Sequence, residues 1–272
     1  MENSKKHFVF AKECFKQAFS YKWILLGIGI MTCICLDNWG QIPLIVKPDA
    51  KIPVYSYIMN SIIYGGTYYP YLAPVLAASA YSISYCREYN CGISELLIGR
   101  MGYRKYSSVK MAVSVAAGGC TLALGVILFT IFAGIFKPLF SADFLESAQV
   151  FPYFSLIEKN QIYLFYSILV YLAFLTGALW SAVSLFVSSY VKNLYVTVTA
   201  PLFISFFVTR IYSIFEVDEQ FRLDYWLLAR SSLKSDIHTI LILTVTVCIL
   251  IIICFCGFLK KVKLNFMERG ND

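Results

Sequence analysis

Long stretches of this chain carry almost no charge, and the charged residues between them are sorted by sign. Six such stretches are read along its 272 residues. A hydrocarbon layer about 30 Å thick is crossed by about 20 helical residues. The pattern therefore confines the chain to an all-α, polytopic membrane fold with six transmembrane helices. Composition agrees: 59% of residues are apolar and 14% charged, against about 45–50% and about 25% in soluble domains. The 20 Tyr lie mainly near the ends of the apolar runs, where a ring with a polar tip suits the headgroup region.

The expected spans are Trp23 to Leu36 (continuing to Ile45, or beginning before Lys22), Tyr68 to Cys86, Met111 to Phe136, Gln161 to Val187, Leu194 to Tyr212 and Ile237 to Leu259. Pro70 and Pro74 fall in the first turns of the second, where helical amides lack partners anyway. Pro201 is expected to bend the fifth. Residues 1–22 form a separate leading segment, 23–260 the six-span domain and 261–272 a tail.

Orientation follows from Lys and Arg. Fifteen lie on one side, in residues 1–22, 87–110, the turn near 190 and the tail, and eight on the other. Acids run the opposite way, six against ten. The positive-inside rule then places both termini, and loop 87–110, in the cytoplasm. The net charge of +7 does not point to nucleic acid, because the basic residues flank spans rather than share a soluble face. Arg210, near the outer end of the fifth span, is read as snorkelling to the interface.

Residues 5–20 read as a basic amphipathic helix. Phe8, Ala11, Phe15, Ala18 and Phe19 share one face, and Lys5, Lys12, Glu13, Lys16 and Ser20 the other. Such a helix lies in the headgroup plane and would bend at an elbow into the first span. Phe8, Phe15, Phe19, Lys12 and Lys16 are its membrane-surface residues. No cleavable signal peptide is read, since the first apolar run follows about 22 polar and amphipathic residues and lacks a small-residue exit.

Several chemistries are excluded. The nine Cys suggest no extracellular disulfide framework and no zinc site, and no metal-ligating set is read. There is no P-loop, no H-E-x-x-H and no G-x-S-x-G. The only histidines are His7 and His238. The span centres hold no Asp, Glu, Lys or Arg, which disfavours ion-coupled transport. No catalytic residue is assigned. The outer loops 137–160 and 213–236 are mixed in charge and aromatic.

Loop 87–110 reads as more than a connector. Ser94 to Met101 has helical character, with Leu97 and Met101 on one face, and Gly99 and Gly102 allow a sharp reversal at its end. The string E-Y-N-x-G-x-x-E-L-L-I-x-R-x-G-x-R-K-Y-x-x-x-K, from Glu88 to Lys110, resembles the first cytoplasmic loop of ABC-2 type transporter permeases. The run Tyr69 to Ala78, the pair Gly118-Gly119, the elbow, the six spans and the inside termini are similar to small bacterial members of that family.

The resemblance implies a permease subunit in a bacterial plasma membrane, paired with a second permease subunit and energised by a separate cytosolic ATP-binding subunit. ATP and Mg would sit on that partner and no cofactor on this chain. In the family the loop is a coupling helix seated in a cleft of the ATPase. Carried over, Glu88, Gly92, Glu95, Leu96, Leu97 and Arg100 would dock it. The implied activity is export of an amphipathic, peptide or lipid-like cargo. An alternative is a non-transporting membrane sensor or immunity protein against antimicrobial peptides.

Overall fold

The computed structural model describes residues 2–46, 52–62, 66–141, 152–230 and 236–269. Helices carry most of these residues and none of them is in a strand. They are α1 (Glu2–Ala18), α2 (Tyr21–Asp37), α3 (Ile42–Val46), α4 (Val54–Ile62), α5 (Tyr68–Ser79), α6 (Ser84–Asn90), α7 (Ile93–Met101), α8 (Tyr103–Phe136), α9 (Phe154–Glu158), α10 (Ile162–Tyr190), α11 (Leu194–Ile214), α12 (Leu223–Leu227) and α13 (Asp236–Arg269).

Four described helices, α8, α10, α11 and α13, are long and apolar enough to cross a membrane. Val9–Ala18 and α2, joined at a 40° bend, make a fifth candidate when taken together. By itself α2 is 17 residues, or about 25 Å at the helical rise. The sequence predicted six spans. The expected second one is broken: α5 stops at Ser79, residues 80–83 turn, and α6 starts at Ser84. Side-chain hydroxyls give carbonyls at the break an additional donor. Ser79 donates to the Leu76 carbonyl at 2.8 Å and Ser82 to that of Ala78. The Ser82 and Ser184 hydroxyls meet at 2.7 Å, and Ser184 donates to the Thr197 carbonyl at 2.7 Å. The turn is thus pinned to both α10 and α11.

The centre of the bundle is the α8–α10 pair. It can pack closely because the two backbones touch through glycine. A Cβ on Gly118 would stand 2.7 Å from the Gly177 oxygen, and one on Gly177 would stand 2.2 Å from the Gly118 oxygen. Beside this crossing the Ser114 and Ser181 hydroxyls meet at 2.8 Å. Small residues and hydroxyl bonds are what hold helices together where the surroundings are as apolar as the side chains. Helix α2 lies on α8, α5 touches α2, α8, α10 and α11, and α13 covers the other side of α10. By contrast α11 and α13 are each only 11% buried along their most apolar stretch. Phe203, Phe207, Ile249 and Ile253 on them face outward, as side chains in contact with lipid or a partner helix would.

The end of the bundle where α2 finishes is knotted by polar residues. Asp37 accepts the Thr67 and Tyr68 amides at 2.7 and 2.8 Å on one oxygen and the Tyr69 amide at 2.9 Å on the other. It so satisfies the orphan donors at the start of α5 and its dipole. Buried Asn38 donates to the Ile34 and Tyr57 carbonyls and to Ser61, at 2.8, 3.0 and 2.8 Å. Those contacts seat α4, whose Tyr55, Tyr57, Ile58 and Met59 are fully enclosed. The sequence reading had assigned no helix there.

The segment after α11 also folds inward. The Leu227 carbonyl accepts from Thr176 Oγ1 at 3.1 Å, and Thr176 is mid-way along α10. Arg222 and Asp224 travel with it, paired at 2.9 Å, and Asp224 also accepts from Thr209 at 3.3 Å. The bond to Asp224 raises the Arg222 guanidinium above its ordinary value, and its charge lies over the Tyr225 ring at 4.0 Å.

Candidate docking surface on α7

Helix α7 is set between two glycines that take positive φ, Gly92 at 71° and Gly102 at 82°. A side chain at either position would be strained, so these two mark the chain reversals. Gly99, expected to share that role, is helical instead and open to space. The Gly102 amide closes α7 on the Ile98 carbonyl at 2.7 Å, and α8 starts immediately after.

One face of α7 packs inward. Ile98 is buried, and Leu97 and Met101 rest against a core of Tyr85, Tyr106, Phe258 and Val262. The opposite face holds Ile93 (47% exposed), Leu96 (65% exposed) and Arg100. Their spacing of three and four residues aligns them along one helical stripe. Gly99 lies beside that stripe and adds no side chain. Glu95 is half-buried at a crevice edge with Tyr85, Tyr89, Asn265 and Phe266. Of the predicted docking residues, Gly92, Leu96 and Arg100 are therefore at the surface or shape it, whereas Leu97 faces the bundle.

Glu88 has another occupation. One carboxylate oxygen accepts from the Tyr106 hydroxyl at 2.6 Å, and the other pairs with Lys110 Nζ at 2.5 Å. The Lys110 side chain is 0% exposed. Its ammonium also donates to Tyr81 at 3.0 Å and Ser84 at 3.3 Å, and it lies over the rings of Tyr81, Tyr106 and Phe10 at 5.0 to 5.8 Å. A buried cation is retained only where charge and hydrogen bonds compensate the loss of water, and all three donors here have partners. This knot ties α6 to α8 directly behind α7. The sequence reading counted Lys110 only as a topological charge. The available signal was Tyr106 and Lys110 at i and i+4, which places both on one face of α8.

Two further clamps hold the platform. Asn90 Nδ2 donates to the Lys192 carbonyl at 3.1 Å, and the Lys192 ammonium sits 4.2 Å from the Tyr89 ring centre. Asn265 donates to the Tyr85 hydroxyl at 3.1 Å and to the Ser189 carbonyl at 3.0 Å. Residues read from sequence as the start of a tail thus continue α13 as helix, with Val262 and Asn265 buried.

The α1 segment meets the bundle through Phe10, Ala11, Cys14, Ala18 and, just past its end, Phe19, packed with Tyr81, Val109 and Val113. Phe15, Lys12 and Lys16 are exposed, and Phe19 is half-buried between the Phe15 and Trp23 rings. The side chain of Phe8 lies outside the described residues. Among the described residues no cluster of His, Cys, Asp or Glu has the arrangement of a metal site. Comparison with known proteins gave no match among family models, curated proteins or solved structures.

Proposed function

We infer that the chain is the membrane subunit of an ATP-driven transporter of the ABC-2 type, in which a separate cytosolic ATPase docks on α7. The observation that carries this reading is the outward stripe Ile93–Leu96–Arg100 on a short helix braced from behind by the Glu88–Lys110 pair. An exposed apolar side chain on a rigid, charge-rimmed knob is the form expected of a protein contact, since such residues anchor interfaces. Glu88, Glu95 and Leu97 then orient the knob, and Leu96 and Arg100 meet the partner.

In this reading both termini are cytoplasmic and the chain crosses the bacterial plasma membrane six times. Helix α2 with its elbow supplies the first crossing and the broken α5–α6 pair the second. A second permease subunit completes the translocation path. The outward faces of α11 and α13 are the surfaces available to it and to lipid. Export of an amphipathic peptide or lipid-like cargo suits spans without ionisable residues, because the driving energy then enters through α7 from ATP hydrolysis on the partner.

The test is co-expression with the ATPase encoded nearest this gene, followed by purification through a tag on this chain. Stoichiometric association and ATP hydrolysis stimulated in the complex are expected. Leu96→Asp should abolish association while leaving the membrane domain folded. Association unaffected by Leu96→Asp and by Arg100→Glu would overturn the docking role. A non-transporting sensor or immunity protein would bind peptide without flux, so cargo movement in reconstituted vesicles separates the two readings.

A further inference from the structure

At the α7 end of the bundle, two helix interruptions face one another: the α1–α2 bend at Ser20 and the α5–α6 turn at residues 80–83. Between them is a groove of about 550 Å³. Lys22 and Arg87 enter it from opposite walls, α2 and α6. None of its lining residues is acidic. The nearest carboxylate in sequence to Arg87, Glu88, is committed to Lys110 and Tyr106. Neither Lys22 nor Arg87 has an ion-pair partner among the described residues. Ser20 and Ser84 add hydroxyls to the same walls. The groove therefore concentrates positive potential and hydrogen-bond donors where no internal anion answers them.

Its other lining is apolar. Leu25 and Leu26 continue from the groove along α2, and Leu25 and Ile28 are 59% and 44% exposed. A cationic, hydroxyl-lined mouth thus opens directly onto an outward apolar track along α2. A phosphate joined to acyl chains matches both halves, and a free phosphate matches only the mouth.

We propose that this groove is a binding site for one anionic phospholipid, its phosphate held by Lys22 and Arg87 and its chains lying along α2. The lipid bridges α2 and α6 across the two interruptions. This site does not depend on the α7 surface or on a partner ATPase.

The experiment uses the full chain purified in a neutral detergent, with bound lipids counted by native mass spectrometry during titration with phosphatidylglycerol or phosphatidylcholine. One phosphatidylglycerol per chain should be retained in preference to phosphatidylcholine. The double variant Lys22→Gln/Arg87→Gln should lower that preference about thirtyfold, the sum of two cations acting on one anionic headgroup. Lys12→Gln/Lys16→Gln, which removes two exposed cations from α1 outside the groove, should leave it unchanged. Because all four side chains are exposed, matching gel-filtration profiles and circular dichroism will confirm that both variants fold. Wild-type retention by the groove variant, or an equal loss in the α1 variant, would overturn the site. Displacement of the lipid by excess inorganic phosphate would overturn the lipid assignment in favour of a soluble phosphate.

Discussion

Replacing Lys110 with Met tests whether the buried ion pair holds the α6–α8 junction. The ammonium is wholly enclosed and makes bonds to Glu88, Tyr81 and Ser84. Methionine fills similar volume but leaves the Glu88 carboxylate with Tyr106 alone. Removing one partner of a buried pair costs about 3–5 kcal/mol. Glu88 keeps 17% exposure, so water recovers part of that loss and about 2–4 kcal/mol is expected. For a domain of this size the unfolding midpoint should fall by about 5–15 °C. Glu88→Gln/Lys110→Met removes both charges together and should lie within about 1 kcal/mol of the parent, since a neutral pair of similar shape replaces an ion pair at little cost. Unfolding is followed in detergent by the shift in intrinsic fluorescence, and with the single variant Glu88→Gln the four proteins form a double-mutant cycle. In addition, amide exchange should rise across residues 88–101 in Lys110→Met and return towards the parent in the double variant. A single variant as stable as the parent, or a double variant as unstable as the sum of the singles, would refute the reasoning.

Gly177→Ala puts a Cβ 2.2 Å from the Gly118 oxygen. The α8 and α10 backbones must then separate, at about 1–3 kcal/mol, read as a lowered unfolding midpoint. Asn38→Ala strips three donated bonds from a buried site and leaves Asn60 without its acceptor. A loss of about 2–4 kcal/mol is expected, with proteolysis first appearing near α4. Leu96→Asp and Leu97→Asp should differ although the positions adjoin. The first changes an exposed side chain and should move stability by no more than about 0.5 kcal/mol. The second places a carboxylate against the Tyr85–Phe258 core and should cost about 2 kcal/mol or more. Equal melting curves for the two would show that α7 is not oriented as described.

The long helices were legible because charge-free runs of such length have few other uses. Leu194, predicted as the start of the fifth span, is also the first residue of α11, and its neighbour Asn193 caps it by accepting the Tyr195 and Val196 amides. The interruption at residues 80–83 was not legible. It contains no Gly or Pro, and what stabilises it is a hydroxyl contact with Ser184, 102 residues away. The apolar segment of α4 looked like loop because it is short and follows charged residues. Asn38 and Ser61, meeting across the fold, help to seat it against the core that encloses Tyr55, Tyr57, Ile58 and Met59. At the candidate site, the exposed loop and its glycine boundary at Gly102 could be read, but the inward turn of Leu97 could not. Adjacent helical residues differ by 100° in direction, and the sequence does not say which of two leucines finds a core.

Several charged side chains tie one helix to another, and this bears on how motion could pass through the protein. Asp37 joins α2 to α5, Glu88 and Lys110 join α6 to α8, and Asp224 joins the segment between α11 and α13 to α11 through Thr209. Each pair fixes the relative placement of elements whose apolar surfaces alone would slide, because contact between greasy helices in lipid has little preference among registers. A load on α7 would therefore reach α8 through Gly102 and the Glu88–Lys110 pair, and along the chain it would reach α5 across the turn at residues 80–83. That turn is held by hydroxyls rather than by a continuous helical ladder. The stiff route and the soft route diverge at α6, so displacement of α7 should tilt α8 as a body while α5 flexes at its end. Spin labels at exposed Leu96 and Leu72 would report this, with the distance between them changing more than that between Leu96 and a label at exposed Ala112 on α8. Equal changes in both distances on adding nucleotide and ATPase would mean that α6 does not flex and that the hydroxyl turn is rigid.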